Sequence, residues 1–417
     1  MRQNILRLSA GLSTTARPWR LLRCPAKRHF SAQKDVGEPL RILFCGSDLF
    51  SSASLEALYR YSRTAESNVL SIDVVTRTDK RTGRGLKVLK SPPIKATAIG
   101  LELPIHQIDT FSGWNPPEYR QTNNPCINLI IAVSFGRLIP PHILNQSTYN
   151  GLNIHPSLLP DLPGAAPIQW TIIHGRPTTG VTLQTLHPSK FDQGFILDQT
   201  PAPGLKIPNP ETITTKELTD MLAPVGAEML VNAIRNRLYM PPHKPVQSRE
   251  DKSPAIMTAP KITSRMQAID FATQTQAEIL RRNRAIGPLF IFAQHDDVSG
   301  RSIRINCGKD MRAARVGDVP NEVKKKVESI PPAIPYAIVE KHSDIHQSTR
   351  PLIVNASGPN MANHQIVLPT VTFASMKAAP GTAAAARAGL FRPPATVGEH
   401  QLYCFWHPLS STNLDGP

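Results

Sequence analysis

The sequence predicts an α/β chain: an open, mostly parallel, Rossmann-like sheet with helices on both faces, followed by a smaller β-barrel. Two patterns predict it: strands alternate with helices over the first half, and short, turn-punctuated strands fill the last third. Size supports the division, because 417 residues exceed one ordinary domain. Forty prolines against 24 glycines provide for loops and linkers between the parts. The boundaries read as a basic leader over 1–34, an α/β domain over 38–238, a proline-rich linker over 239–261 and a barrel domain over 262–417.

Arg41-Ile-Leu-Phe-Cys-Gly-Ser-Asp48 is an apolar run ending in a turn, and Leu49 to Tyr61 carries Leu, Ala and Glu at helical spacing. That is a strand, a tight turn and a helix. Residues 69–76 and 128–133 read as buried strands and 152–155 as a fourth. Residues 180–186 alternate as an edge or half-covered strand would. Residues 217–237 form a long amphipathic helix, with Leu218, Met221, Leu222, Ala227, Leu230 and Ile234 near one stripe. Such sheets bind ligands beyond the carboxyl ends of their strands. Gly46 lies at one such end, but a single Gly-Ser-Asp is not GxGxxG, which argues against a nicotinamide cofactor.

Residues 240–260 hold Pro241, Pro242, Pro245, Pro254 and Pro260 among polar and charged residues, a linker composition. Beyond them 276–286 reads as a helix, and 289–294, 302–307, 336–341, 352–356 and 366–374 as the short strands of the barrel. Residues 310–332 are basic and proline-ended and read as a loop insertion. The alanine-rich stretch 378–389 carries no signal.

The net charge of +16 is unevenly placed. Residues 1–34 carry eight bases and no acid, 35–250 carry 20 bases and 18 acids, and 251–417 carry 19 bases and 13 acids. Half of the excess therefore sits in the leader. There Arg2, Arg7, Arg17, Arg20, Arg23 and Arg28 are interleaved with Ser, Thr, Ala and Leu. This is transit-peptide composition and points to the mitochondrial matrix; a basic arm touching nucleic acid is the alternative. The longest apolar run, 127–133, is far short of the roughly 20 residues that span a bilayer, so no membrane role is expected. Five scattered cysteines without a CxxC pair argue against a disulfide framework or a zinc ribbon. With 40% hydrophobic residues the chain can build cores, which excludes wholesale disorder.

The stretch richest in chemistry is Asn153-Ile-His155-Pro-Ser157-Leu-Leu-Pro160, followed by Gly164-Ala-Ala-Pro167. On a strand, Asn153 and His155 share one face and reach a cleft at its carboxyl end. Downstream, Thr179-Gly-Val-Thr182 returns a strand, and Phe191-Asp192-Gln-Gly194 places a carboxylate on a loop. An amide, an imidazole and a carboxylate can stabilise an oxyanion, transfer a proton and hold the imidazole in its working tautomer. No Ser or Cys sits in a nucleophile elbow, so direct transfer is the natural mechanism. Each residue also has a bland reading, as a structural histidine or a simple Asp-x-Gly turn.

Together these motifs resemble the formyltransferases that use 10-formyltetrahydrofolate, and among them the branch acting on methionyl-tRNA. Matching segments run from Arg41 through Asp198 and, more weakly, from Lys261 to Phe292. The resemblance implies the formyltransferase fold, with Asn153, His155 and Asp192 catalytic. It also implies a folate site lined by Ser157, Leu158, Leu159 and Pro160, with Phe135 and Gly136 in a second wall over 134–140. The co-substrate would be 10-formyltetrahydrofolate, with no metal. Residues 77–95, with seven bases and one acid, resemble the inserted loop of the methionyl-tRNA branch. Arg81, Arg84, Lys87 and Lys90 would then meet the tRNA, since arginine forks and lysines suit phosphates. The basic C-terminal region resembles the family's OB-like barrel, which would add backbone contacts. The implied reaction is transfer of a formyl group to the α-amine of methionyl initiator tRNA, by a monomer. Pro163 stands where the family usually carries Arg. Two rivals stay open: a small amine acceptor such as glycinamide ribonucleotide or an amino sugar, and a tRNA-binding homologue without catalysis.

Overall fold

The computed structural model describes residues 38–117, 126–244, 256–294, 302–356, 364–373 and 376–412. The expected leader over 1–34 lies outside the described residues. In chain order the first part opens with β1 (Leu40–Gly46), α1 (Leu49–Ser62), β2 (Val69–Thr76), β3 (Lys80–Thr82), β4 (Val88–Lys90), α2 (Pro93–Gly100) and β5 (Ile105–Gln107). Next come β6 (Leu129–Val133), α3 (Pro141–Leu144), β7 (Gly151–His155), α4 (Pro167–Ile173) and β8 (Thr178–Thr179). It closes with β9 (Thr182–Thr185), β10 (Ile196–Gln199), β11 (Leu205–Lys206) and α5 (Thr215–Arg235).

Seven of these strands form one sheet in the order β10-β9-β7-β6-β1-β2-β5. The five from β5 to β7 are parallel; β9 runs against β7, and β10 runs against β9, so β9 alone is reversed in the sheet. β1 and β6 are buried at every position. Strands covered on both faces must be apolar throughout, which is why they read as unbroken hydrophobic runs. Alternation sends Ile42 and Phe44 into the core on one face, with Phe50 and Leu222, and Leu43 and Cys45 into the other, with Ile130 and Phe135. The strand expected over 180–186 is not an edge: β9 lies between β7 and β10, and the edge falls to β10. Four residues between turns are too few for a period-two signal, so the true edge was invisible in the sequence.

The second part runs α6 (Gln276–Ile286), β12 (Phe290–Gln294), β13 (Ser302–Cys307), β14 (Arg312–Ala313), α7 (Asn321–Glu328), β15 (Pro335–Glu340) and β16 (Leu352–Asn355). It ends with β17 (Gln365–Leu368), β18 (Thr370–Phe373), β19 (Ala379–Pro380), α8 (Gly381–Arg387), β20 (Ala395–Val397) and β21 (His400–Cys404). Two antiparallel sheets result, β12-β13-β18-β19 and β14-β17-β16-β15-β21-β20. The chain passes from one to the other where β17 turns into β18, and Phe292 pairs with Ser410 beyond β21. The arrangement is barrel-like. The insertion over 310–332 is not a loop, because it contains β14 and α7. Val323 and Val327, four apart, are fully buried and dock α7 on the β15–β16 core, but two apolar residues in eight were too faint a stripe to read. The alanine-rich stretch is likewise a helix, α8, with Ala383, Ala384 and Ala385 buried.

The two parts are firmly joined. Arg281 Nε on α6 donates to the Ile173 carbonyl at 3.1 Å, and Thr215 Oγ1 on α5 donates to the Ala285 carbonyl at 2.7 Å. Tyr239, in the stretch expected as linker, is fully buried and its hydroxyl accepts from Asn68 Nδ2 at 3.0 Å. Among the described residues no helix is long and apolar enough to cross a membrane.

Candidate active site

Parallel β1, β6 and β7 end at the same edge of the sheet, and the chain leaves each in a sharp turn. After β6 the turn needs positive φ at Ser134 (+48°) and Gly136 (+68°). A cavity of about 340 Å³ opens there, lined on one side by 134–139 and on the other by Asn153, His155 and Asp192. Asn153 and His155, two apart on β7, share the face that looks into it, as strand alternation requires.

Asp192 arrives from the turn between β9 and β10 with φ of +52°. A non-glycine residue holds that conformation only where its surroundings impose it. They do. Its Oδ1 accepts from Asn153 Nδ2 at 3.2 Å and from Gln184 Nε2 at 3.1 Å, while Oδ2 accepts from the Gly164 amide at 2.8 Å. His155 Nδ1 lies 3.4 Å from the same Oδ1, and the two side chains are only 6% and 7% exposed. His155 Nε2 sits 3.0 Å from the Leu162 carbonyl; a carbonyl can only accept, so Nε2 carries a hydrogen and Nδ1 faces the carboxylate. The three residues predicted as catalytic thus gather round one carboxylate, Asn153 by a hydrogen bond and His155 by close approach.

The expected folate wall divides. Phe135 and Gly136 line the cavity, together with Arg137 and Leu138. Ser157, Leu158, Leu159 and Pro160 do not; the first three are buried in a turn behind the trio, and Pro160 is exposed. Ser157 Oγ donates to the Asp161 carbonyl at 2.7 Å, and the Leu159 amide donates to Thr182 Oγ1 at 3.1 Å. Their proximity in sequence to His155 suggested a wall, but the turn that follows β7 carries them away from it. A second cavity of about 460 Å³ adjoins the first and shares Phe135, Arg137 and Leu138 with it, adding Phe111 and His142. Cys45, on β1, offers no nucleophile, since complete burial pushes its thiol far up.

The basic segment is a hairpin, β3 paired with β4, rising from the carboxyl end of β2 and so from the same edge of the sheet. Arg81, Lys87 and Lys90 are exposed on it, and Arg84 opens its single helical turn, 84–86. Leu86, Val88 and Leu89 are 60%, 60% and 58% exposed between them. The base is pinned. Asp79 accepts from Lys95 Nζ at 2.6 Å and Gln107 Nε2 at 2.8 Å, bonds that hold its carboxyl below the usual range. The pinned base and apolar flanks were not read from the charge count. Among the described residues no three His, Cys, Asp or Glu side chains are grouped to hold a metal ion.

Residues 40–234 match the family described as formyl transferase. The chain is 37% identical over 286 residues to the mitochondrial methionyl-tRNA formyltransferase of Saccharomyces cerevisiae, covering 62% of this chain and 70% of that one. The chain belongs to the methionyl-tRNA formyltransferase family. The mitochondrial enzyme of Homo sapiens is 33% identical over 251 residues, 60% of this chain and 57% of its own length. That of Acidobacterium capsulatum is 33% identical over 250 residues, 60% and 74% respectively. Of the human relative, then, the chain spans little more than half.

For a formyltransferase, three groups in the site escaped sequence reasoning. Gln184 is 1% exposed; its Nε2 bonds Asp192 and its Oε1 accepts from the Gly194 amide at 3.1 Å, locking both ends of the Asp-x-Gly turn. A polar amide at the inward position two after Thr182 was its only trace. The other two, the Leu162 carbonyl and the Gly164 amide, are backbone groups that no side-chain motif announces.

Proposed function

We propose that this formyltransferase works in the mitochondrial matrix, moving a formyl group from 10-formyltetrahydrofolate to the α-amine of methionine on initiator tRNA. One observation carries the reading: the Asn153–His155–Asp192 cluster faces a cavity at the sheet edge from which the basic hairpin also rises. The two adjoining cavities suit a long ligand with a flat ring and an acidic tail. Each is within the range for small-molecule sites, and Phe135, Leu138 and Arg137 at their junction offer apolar faces and a carboxylate-binding fork. When bound, that co-substrate supplies the formyl carbon.

The chain's own residues do the rest. Asn153 spends one amide hydrogen on Asp192, and its second N–H donates to the oxygen on which charge develops as the neutral amine attacks. Asp192 receives the proton the amine releases, and that proton would pass to the folate nitrogen as its bond to the formyl carbon breaks. His155, with Nε2 committed to Leu162, presents Nδ1 to that carboxylate and stabilises the proton between them. Arg81, Arg84, Lys87 and Lys90 attract the acceptor stem, and the exposed Leu86, Val88 and Leu89 rest on its apolar end. The barrel-like part adds backbone contacts.

Formyl transfer measured with methionyl initiator tRNA, glycinamide ribonucleotide and an amino sugar in parallel tests the reading. Activity on the tRNA alone is expected; preference for a small amine would overturn it, and no transfer to any acceptor would leave a binding homologue. Deleting residues 1–33 should leave activity in vitro intact while the protein stays in the cytosol. Matrix localisation of the truncated chain would refute import by this leader.

A further inference from the structure

The stretch that joins the two parts of the chain runs alongside the catalytic turn. The Leu162 amide donates to the Met257 carbonyl at 2.8 Å, the Ala259 amide to the Pro163 carbonyl at 2.8 Å, and the Ala166 amide to the Ala259 carbonyl at 3.1 Å. Two side chains fix the ends of this pairing. Asp161 Oδ1 accepts from the Met257 amide and from Arg176 Nη2, both at 3.0 Å. Trp170 Nε1 donates to the Pro260 carbonyl at 2.8 Å.

The turn held in this way carries both backbone groups that touch the trio, the Leu162 carbonyl on His155 and the Gly164 amide on Asp192. It holds Gly164 at φ of +132°, which glycine adopts without steric cost, and Leu162 at +58°, which strains a leucine. Such strain persists only where neighbours over-determine it. Burial contributes, since Leu162 and Ala259 are 2% and 0% exposed, but the start of the strap lies open, with Ile256 and Met257 62% and 39% exposed. There hydrogen bonds to 257–260 hold the turn.

We propose that 257–260 is a positioning strap for the catalytic trio, with Asp161 and Trp170 as its positioning residues. This rests on the trio assigned above. Residues after Pro260 lead directly into the barrel-like part, so the geometry of the reacting groups depends on how the two parts are docked. Asp161→Ala removes the acceptor for Met257, Asp161→Asn keeps one, and Trp170→Phe deletes the indole N–H while keeping a smaller aromatic ring against His174.

Steady-state kinetics on full-length protein should show kcat lower by roughly 10- to 100-fold in Asp161→Ala and by several-fold in Trp170→Phe. KM for both substrates should stay within about twofold, with Asp161→Asn recovering most of the loss. Unchanged kcat, or a loss confined to KM, would overturn the proposal. A second measurement does not depend on the acceptor. Amide hydrogen exchange over 162–166 should quicken in Asp161→Ala and in Trp170→Phe relative to the parent. Unaltered exchange there in Trp170→Phe, the milder change, would overturn the strap even if Asp161→Ala failed to fold. A parent inactive on methionyl-tRNA would instead sink the proposed function and leave the exchange test decisive for the strap.

Discussion

The catalytic cluster and the β3–β4 hairpin rise from the same edge of the same sheet and are built on opposite principles. In the cluster, Asp192 accepts from three groups and faces a fourth, and its side chain is almost wholly buried. In the hairpin, Arg81, Lys87, Lys90 and the apolar side chains between them face solvent. A buried network loses heavily when one partner goes, because the group left behind has neither water nor a substitute. Exposed charges are nearly independent of one another for stability, yet each adds to the attraction of a polyanion. On the proposed function the molecule would therefore separate turnover from capture, and the separation can be attacked from either side.

The heaviest blow falls on the reacting groups. Asn153→Ala and Asp192→Asn should each lower kcat on the order of 100- to 1,000-fold, the usual cost of a preorganised donor. Affinity for charged tRNA should change little, because neither residue lies on the hairpin. Near-normal turnover in either variant would remove that residue from the mechanism.

Next comes Gly194→Ala, which tests how rigid the cluster is. A Cβ at Gly194 would stand 1.7 Å from the Thr185 carbonyl oxygen, closer than any relaxation of a side chain can relieve. The turn must move, and Asp192 moves with it. A kcat loss of at least about 10-fold is expected, with unfolding shifted by about 1–3 kcal/mol from overpacking. Wild-type kinetics would mean that the turn tolerates displacement and that its bonds do not set the geometry.

The two regions also differ in how much the sequence revealed. The convergence of Asn153, His155 and Asp192 was legible because strand alternation and an Asp-x-Gly turn place side chains predictably; their catalytic role is what the family resemblance implies. The groups that brace them were not legible. Leu162 and Gly164 act through their backbone, and Met257–Pro260 reaches them from some 90 positions downstream, a pairing only the tertiary fold creates. For the hairpin the charge count was enough to mark it, while its paired strands, three residues each, were too short to show periodicity. The same limit hid β10 and α7. The central strands were plain because burial on both faces leaves long apolar runs.

A smaller effect should follow loss of one hairpin charge. Arg84→Leu or Lys87→Leu should weaken tRNA binding and flatten the plot of log affinity against log salt by roughly one unit. Turnover at saturating tRNA and folate binding should be unaffected. If affinity and salt slope both held, the hairpin would be a solvated surface, and a small amine would return as the acceptor.

The smallest effect is expected from Gly85→Ala, the same chemical change as at Gly194 made in the other region. Gly85 has φ of +71°, so an alanine there is strained, but its nearest neighbour would be the Lys87 side chain at 3.7 Å, an ordinary contact. The cost is conformational alone, on the order of 1–2 kcal/mol, and it is confined to a hairpin that the core does not lean on. The tip should therefore spend more time out of its turn, raising KM for tRNA by about 10-fold or less while kcat and the melting temperature stay close to the parent's. Gly194→Ala should do the reverse, sparing KM and losing kcat. Should Gly85→Ala instead depress kcat as Gly194→Ala does, the hairpin would be part of the catalytic geometry, and capture and turnover would not be separate functions of this edge of the sheet.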